Sequence, residues 1–177
     1  MNVRRVVTCH SERGKSAVQS DGCPPRGKAF TYTPGMAQYL LWATEANAKV
    51  PTGADPTLAV RSFHPDPGAT RFIVLTIPPD SVMSDPNLDA VAAGEEYRKE
   101  TPGIVDRFEP DGMHTTDTID YGIVLEGELW LELDDGHTLH LQQHDCVVQN
   151  GTRHGWRNKS NTPATIAFVL VGVNRHI

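Results

Sequence analysis

Nothing in this sequence is suited to gripping a nucleic-acid backbone. There is no run of Lys or Arg, Arg4 and Arg5 with Lys15 are too sparse to form a footprint, and the formal charge is −6 with acids and bases interspersed. No stretch approaches the ~20 apolar residues of a membrane span. The opening MNVRRVVTCHSERGK has a charge pair but no apolar segment, so no secretory leader is expected. Cysteine is scarce: Cys9, Cys23 and Cys146 form no CxxC and leave one unpaired, which points to a reducing, cytoplasmic setting. Internal repeats and low-complexity tracts are missing. PTGADPT lacks the GK[ST] ending of a phosphate loop, so no nucleotide cofactor is expected. Neither Ser11 nor Cys146 has a base at a readable spacing, so no nucleophile motif is present.

What is there suits one β-rich domain. The chain has 177 residues, enough for one real core and too few for two comfortable ones. Its 13 prolines and 15 glycines are spread throughout, which fits many turns and short strands. Strands are predicted over Val3–Thr8, Ser16–Ser20, Ala37–Ala43 and Thr70–Ile77, with Arg26–Gly35 and Asn47–Pro56 as loops. Asp85 to Glu100 is the one helix candidate. Asp85 serves as its cap, Pro86 sits in its first turn, and a weak apolar face of Leu88, Val91, Ala92 and Tyr97 marks it as a surface helix. From Met113 onward the pattern is β: two strands within Ile119–Leu133 joined around Glu126-Gly127, a turn at Asp134-Asp135-Gly136, then Thr138–Leu141, Cys146–Gln149, Gly155–Asn158 and Ala164–Val171. The expected organisation is a single domain: residues 1–84 supply N-terminal strands and loops that complete the barrel, 85–104 form a helical excursion, and 105–177 form the core.

Strand alternation places His114, Thr116, Thr118 and Asp120 on one face, and His154, Trp156 and Asn158 on a facing strand. The inward face of a small barrel is normally apolar. Two imidazoles, a carboxylate and two threonines there are costly unless paired, hydrated or metal-bound. That cost is the physical argument for a site. His137, His140 and His144 are read instead as surface residues, since a β context sends His137 and His140 to opposite faces.

These residues also fall on a known pattern. His114, Thr116, Asp120 and Gly127 occupy the His, His, Glu and Gly positions of a Gly-x5-His-x-His-x3–4-Glu-x6-Gly motif, with Phe108 at the opening Gly. Gln149, Gly151, His154 and Asn158 occupy the positions of Pro-x-Gly-x2-His-x3-Asn. The stretch resembles the cupin superfamily, in particular small single-domain members of the cupin-2 kind, with a degenerate first metal motif. The resemblance implies an all-β fold, a double-stranded β-helix or jelly-roll barrel, with an N-terminal strand extension and one short helix. It also implies a homodimer with the N-terminal strands at the interface, and ligands held inside the barrel.

Two chemistries follow for the interior. In the first, His114, Asp120 and His154 form a two-His, one-carboxylate set for Fe, Mn, Ni or Zn, with Thr116 replacing the second His and Asp a methylene shorter than Glu. In the second, His114 and His154 act as metal-free acid–base groups that Asp120 orients. Thr116, Thr118, Trp156 and Asn158 would line the substrate, with Trp156 stacking on a flat body. Arg153 or Arg157 would hold a substrate carboxylate if the strand twists at its end. The function expected is a lyase or isomerase (decarboxylation, dehydration or cyclisation) acting on an aromatic, polyketide-like or keto-acid substrate. The alternatives are a non-haem metal-dependent dioxygenase and a non-catalytic small-molecule binding module.

Overall fold

A computed structural model describes residues 2–176. Its strands are β1 (Arg5–His10), β2 (Ser16–Gly22), β3 (Arg26–Ala29), β4 (Ala37–Thr44), β5 (Thr70–Ile77), β6 (Thr118–Glu126), β7 (Leu129–Glu132), β8 (Thr138–Leu141), β9 (Cys146–Asn150), β10 (Gly155–Arg157) and β11 (Ala164–Gly172). Helices α1 (Asp80–Met83) and α2 (Ala90–Glu100) lie between β5 and β6. A six-stranded sheet has the order β3-β4-β5-β11-β6-β9, a three-stranded sheet has the order β10-β7-β8, and β1–β2 form a separate hairpin. Strands from before residue 84 are therefore members of the main sheet. The two larger sheets close on one core, and this is the all-β jelly-roll barrel that the motifs imply.

β6 shows why the sequence folds this way. Thr118, Asp120, Gly122 and Val124 are buried, while Tyr121, Ile123 and Leu125 are exposed, the period of two that puts alternate side chains on opposite faces. Val124 joins Leu40, Ile73, Leu129, Ile166, Phe168 and Leu170 in a core drawn from both sheets. Full burial of a Leu or Ile side chain contributes roughly 1.5–3 kcal/mol.

The turn between β6 and β7 joins the two sheets. Gly127 there has φ +75°, and a Cβ would stand 3.0 Å from Ala164 Cα. Only glycine takes this conformation without strain. Gly127→Ala is therefore expected to cost about 1–3 kcal/mol, read as a lower urea midpoint at unchanged slope.

Two local readings needed correction. Arg26–Gly35, expected to be loop, contains β3 paired with β4. The strand is short and charged, and its Gly27 hides it from a propensity reading. Gly27 lies beneath the Tyr39 ring, where a Cβ would come within 2.1 Å of a ring carbon.

The single helix expected from Asp85 is instead two. Asp85 bonds its carboxylate to the Asn87 amide at 2.8 Å, and Asp89 caps α2 by accepting from Ala92 N at 3.0 Å. Nor is α2 a loose surface helix. Glu96 is 7% exposed; its carboxylate accepts from Thr31 N at 2.9 Å and Tyr32 N at 2.9 Å, and pairs with Lys28 at 2.8 Å. Tyr97 packs between Phe30 and Phe108 at ring distances of 5.5 and 6.2 Å.

Candidate functional site in the barrel

The backbone brings the two motifs together. His114 N donates to His154 O at 2.8 Å, and His154 N donates to His114 O at 2.9 Å. Directly opposed residues in such an antiparallel pair share a face, and the imidazole centroids are 4.2 Å apart. Both histidines are buried, at 7% and 2% exposure. Phe108, at the position where the motif carries glycine, stacks on His114 at 4.3 Å and 30°. Trp156 stands edge-on to His154 at 6.0 Å and packs on Phe168 at 5.3 Å.

Local bonds set the states of these groups. His154 Nδ1 lies 3.0 Å from the Thr152 carbonyl oxygen. A carbonyl only accepts, so Nδ1 carries the proton and Nε2 keeps its lone pair. Gln149, at the proline position of the second motif, is buried and donates to Thr152 O at 3.0 Å, fixing the loop that orients His154.

Burial lowers the His154 pKa, and burial, followed by the neighbouring His154, pushes His114 down to about 4. Both imidazoles are therefore neutral at pH 7. Burial pushes Asp120 up to about 6, opposed by the Thr118 hydroxyl. Two buried polar atoms here have no hydrogen-bond partner, His114 Nδ1 and Asp120 Oδ1.

Not every expected residue belongs to this set. Thr116 and Thr118 are buried and bonded to each other, Oγ1 to Oγ1, at 2.8 Å. Asn158 is structural: its amide donates to Ile77 O at 2.9 Å and Thr162 O at 2.8 Å, and its oxygen accepts from Ser160 N at 3.1 Å. It ties the end of the barrel and has no amide proton left for a ligand. Arg153 is held by Glu109, Asp111 and Asp134, and Arg157 by Glu132 and the Asp111 carbonyl. Neither is available to a substrate carboxylate. His140 is on the surface as expected, paired with Glu128 at 2.6 Å and stacked on Trp130.

The expected metal set also needs correction. Among the described residues no three of His, Cys, Asp or Glu come together at ligating distance. His114 and His154 adjoin, but Asp120 does not complete a triad with them. A divalent ion needs about three protein donors. The orphaned His114 and Asp120 atoms call for a partner, but the donor set as arranged does not fit a metal.

No family model matches the chain. Sequence relatives include "Phomopsin biosynthesis cluster protein C'" of Diaporthe leptostromiformis, 54% identical over 50 residues, 28% of this chain and 26% of the relative. "Oryzines biosynthesis cluster protein J" of Aspergillus oryzae is 49% identical over 57 residues, 32% of each chain. The "cupin-domain-containing oxidoreductase virC" of Hypocrea virens is 39% identical over 62 residues, 33% of this chain and 32% of the relative. The chain thus matches about a third or less of each relative's length. Similar solved structures include a cupin-2 domain of an XRE family transcriptional regulator from Enterobacter cloacae, with TM-score 0.40 and 14% identity over 79% of this chain and 99% of that one. A sugar phosphate isomerase from a cupin superfamily, from Silicibacter pomeroyi, has TM-score 0.41 and 13% identity over 82% and 68%. The fold is an all-β jelly-roll barrel, and over about a third of its length the chain is similar to cupin-domain proteins.

Proposed function

We propose that the barrel interior is a proton-transfer site of a lyase or isomerase acting on a small keto acid or aromatic, polyketide-like compound. The observation that carries this reading is the pair of buried, unpartnered polar atoms, His114 Nδ1 and Asp120 Oδ1. Burying such atoms without partners costs free energy that a bound substrate would return. Asp120 differs from its expected role: rather than orienting a histidine, it is the base. Its pKa near 6 suits removal of a carbon-bound proton near neutral pH. The proton passes from the carbon beside a carbonyl to Asp120, and the electron pair moves toward the carbonyl oxygen. Neutral His114 donates from Nδ1 to that oxygen, and His154 Nε2 accepts from a substrate hydroxyl. Trp156 bounds the flat side of the substrate.

Biosynthesis-cluster names among the relatives support a small-molecule role. The oxidoreductase name of other relatives supports a second reading, an oxidoreductase; its metal-dependent dioxygenase form is disfavoured by the donor set. A homodimer and a cytoplasmic location complete the proposal, the latter supported by three free cysteines. Among the described residues no helix is long and apolar enough to cross a membrane.

The test is deuterium exchange. In D2O, 4-phenyl-2-oxobutanoate should lose its proton signal beside the carbonyl faster with wild type than in buffer, and His154→Gln should slow this. A rate that matches buffer, or turnover that requires O2 and stoichiometric iron lost in His114→Ala and His154→Ala, overturns the reading. Binding without exchange would leave the non-catalytic module.

A further inference from the structure

The arginines that the sequence suggested for a substrate carboxylate are already held by acids, but Arg26 is not. It lies on β3 with its side chain toward the core, above the Phe63 ring at 4.8 Å. Its Nη1 donates to Thr57 O at 3.2 Å and to Val60 O. Both hydrogens of that nitrogen are thereby used, and the guanidinium is fixed in orientation. Among the described residues the opposite edge, Nε–H with Nη2–H, makes no hydrogen bond, and no carboxylate pairs with it. That edge is the fork that receives carboxylates in bidentate fashion. Lys28, on the same strand, differs: Glu96 at 2.8 Å and Glu100 at 3.2 Å engage it. Burial draws the Arg26 pKa down, opposed by the nearby Glu100 carboxylate.

Arg26 lines a cavity of about 200 Å3, together with Lys28, Phe30, Gln38, Phe63 and Glu100. Gln38 is 7% exposed, and its amide makes no hydrogen bond within the described chain. Glu100 is the one acid on the lining, and Lys28 neutralises it. Drug-sized ligands occupy roughly 300–1,000 Å3, so this cavity suits a single-ring molecule. Two phenylalanines bound it. Phe30 then leads through Tyr97 and Phe108 to His114 by ring contacts of 5.5, 6.2 and 4.3 Å.

We propose that this cavity between β3, β4 and the end of α2 is a carboxylate subsite, in which Arg26 and Gln38 hold the acid group of a small aryl acid. The inference goes beyond that reading: three successive ring contacts separate the cavity from His114, and binding at Arg26 stands on the cavity alone.

Benzoate is the probe, with benzamide as its neutral isostere and phenyl phosphate as the competing anion. Calorimetry should show benzoate binding at least about tenfold tighter than benzamide. In wild type the Arg26 Nε–H resonance should shift on titration, a readout that needs no variant. Arg26→Lys keeps the charge but loses the fork, and should weaken benzoate at least about tenfold; Gln38→Leu should weaken it less. His154→Gln should leave it within about twofold, separating this site from the barrel chemistry. Benzoate that does not bind, or binds without moving Arg26 Nε–H and equally well to Arg26→Lys, overturns the proposal. Preference for phenyl phosphate through the same arginine overturns the carboxylate assignment.

Discussion

Asp120→Asn is expected to abolish proton exchange and to stabilise the fold above pH 7. The exchange rate should fall at least about 100-fold, the usual scale for losing a general base. The stability change follows from the raised pKa. In the folded state Asp120 titrates near 6, against 3.8 for an unperturbed carboxyl. The fold favours the protonated form, so its stability falls as pH rises through about 4 to 6. Above that window the whole cost is present, about 3 kcal/mol at 1.36 kcal/mol per pKa unit. Asn mimics the neutral acid and removes that cost. His114 works in the opposite sense: its folded pKa near 4 lies below the free value, so stability is lost as pH falls from about 6.5 to 4. The two slopes oppose each other in wild type. In Asp120→Asn the histidine slope stands alone, so urea midpoints measured from pH 8 to pH 4 should fall more steeply in the variant. A site that gains stability when its base is removed is the usual trade between function and fold.

Glu96→Ala should be the most damaging change outside the barrel. Burial would raise this carboxyl, but Lys28 and the Tyr32 and Thr31 amides hold it down to about 2. Removing it leaves those amides without their acceptor and frees α2 from the 31–32 segment. Charge-assisted hydrogen bonds contribute about 1.5–3 kcal/mol each. With Lys28 partly exposed and screened, about 2 kcal/mol in total is a fair expectation. The sign differs from Asp120: a depressed pKa contributes stability above about 4.5, which is lost as pH falls toward 2. The difference between wild type and Glu96→Ala should therefore narrow below pH 4. It should also reach the cavity, because Lys28 then has only Glu100 as a partner.

Much of this was legible in the chain. β5, β6, β8 and β11 follow from alternating apolar runs between Gly, Pro and Asp turns, and the two motifs placed His114 and His154 on one inner face. Their direct backbone pairing was not legible, because His114 belongs to no regular strand. Helix α2 was misjudged for a physical reason. Its buried residues are Ala93 and Glu96, with Tyr97 half-buried beside them, and a buried glutamate reads as solvent-facing until its three partners are known. Arg26 was missed for a related reason. A lone arginine on a short glycine-bearing strand carries no pattern, and its free edge appears only once Thr57 and Val60 are seen holding the other. The expected Asp120 ligand role failed on geometry: two imidazoles meet by pairing across strands, and the carboxylate lies further along β6, facing Gln149 in the register.

The central proposal, that Asp120 is a buried base with a raised pKa, is tested most directly by its own titration. With 13C-labelled aspartate in metal-free protein, the Asp120 carboxyl carbon should titrate near pH 6, with His114 still neutral there and His154 titrating below its ordinary value. A midpoint near 4 would contradict the account, as would histidines that titrate near 6.5.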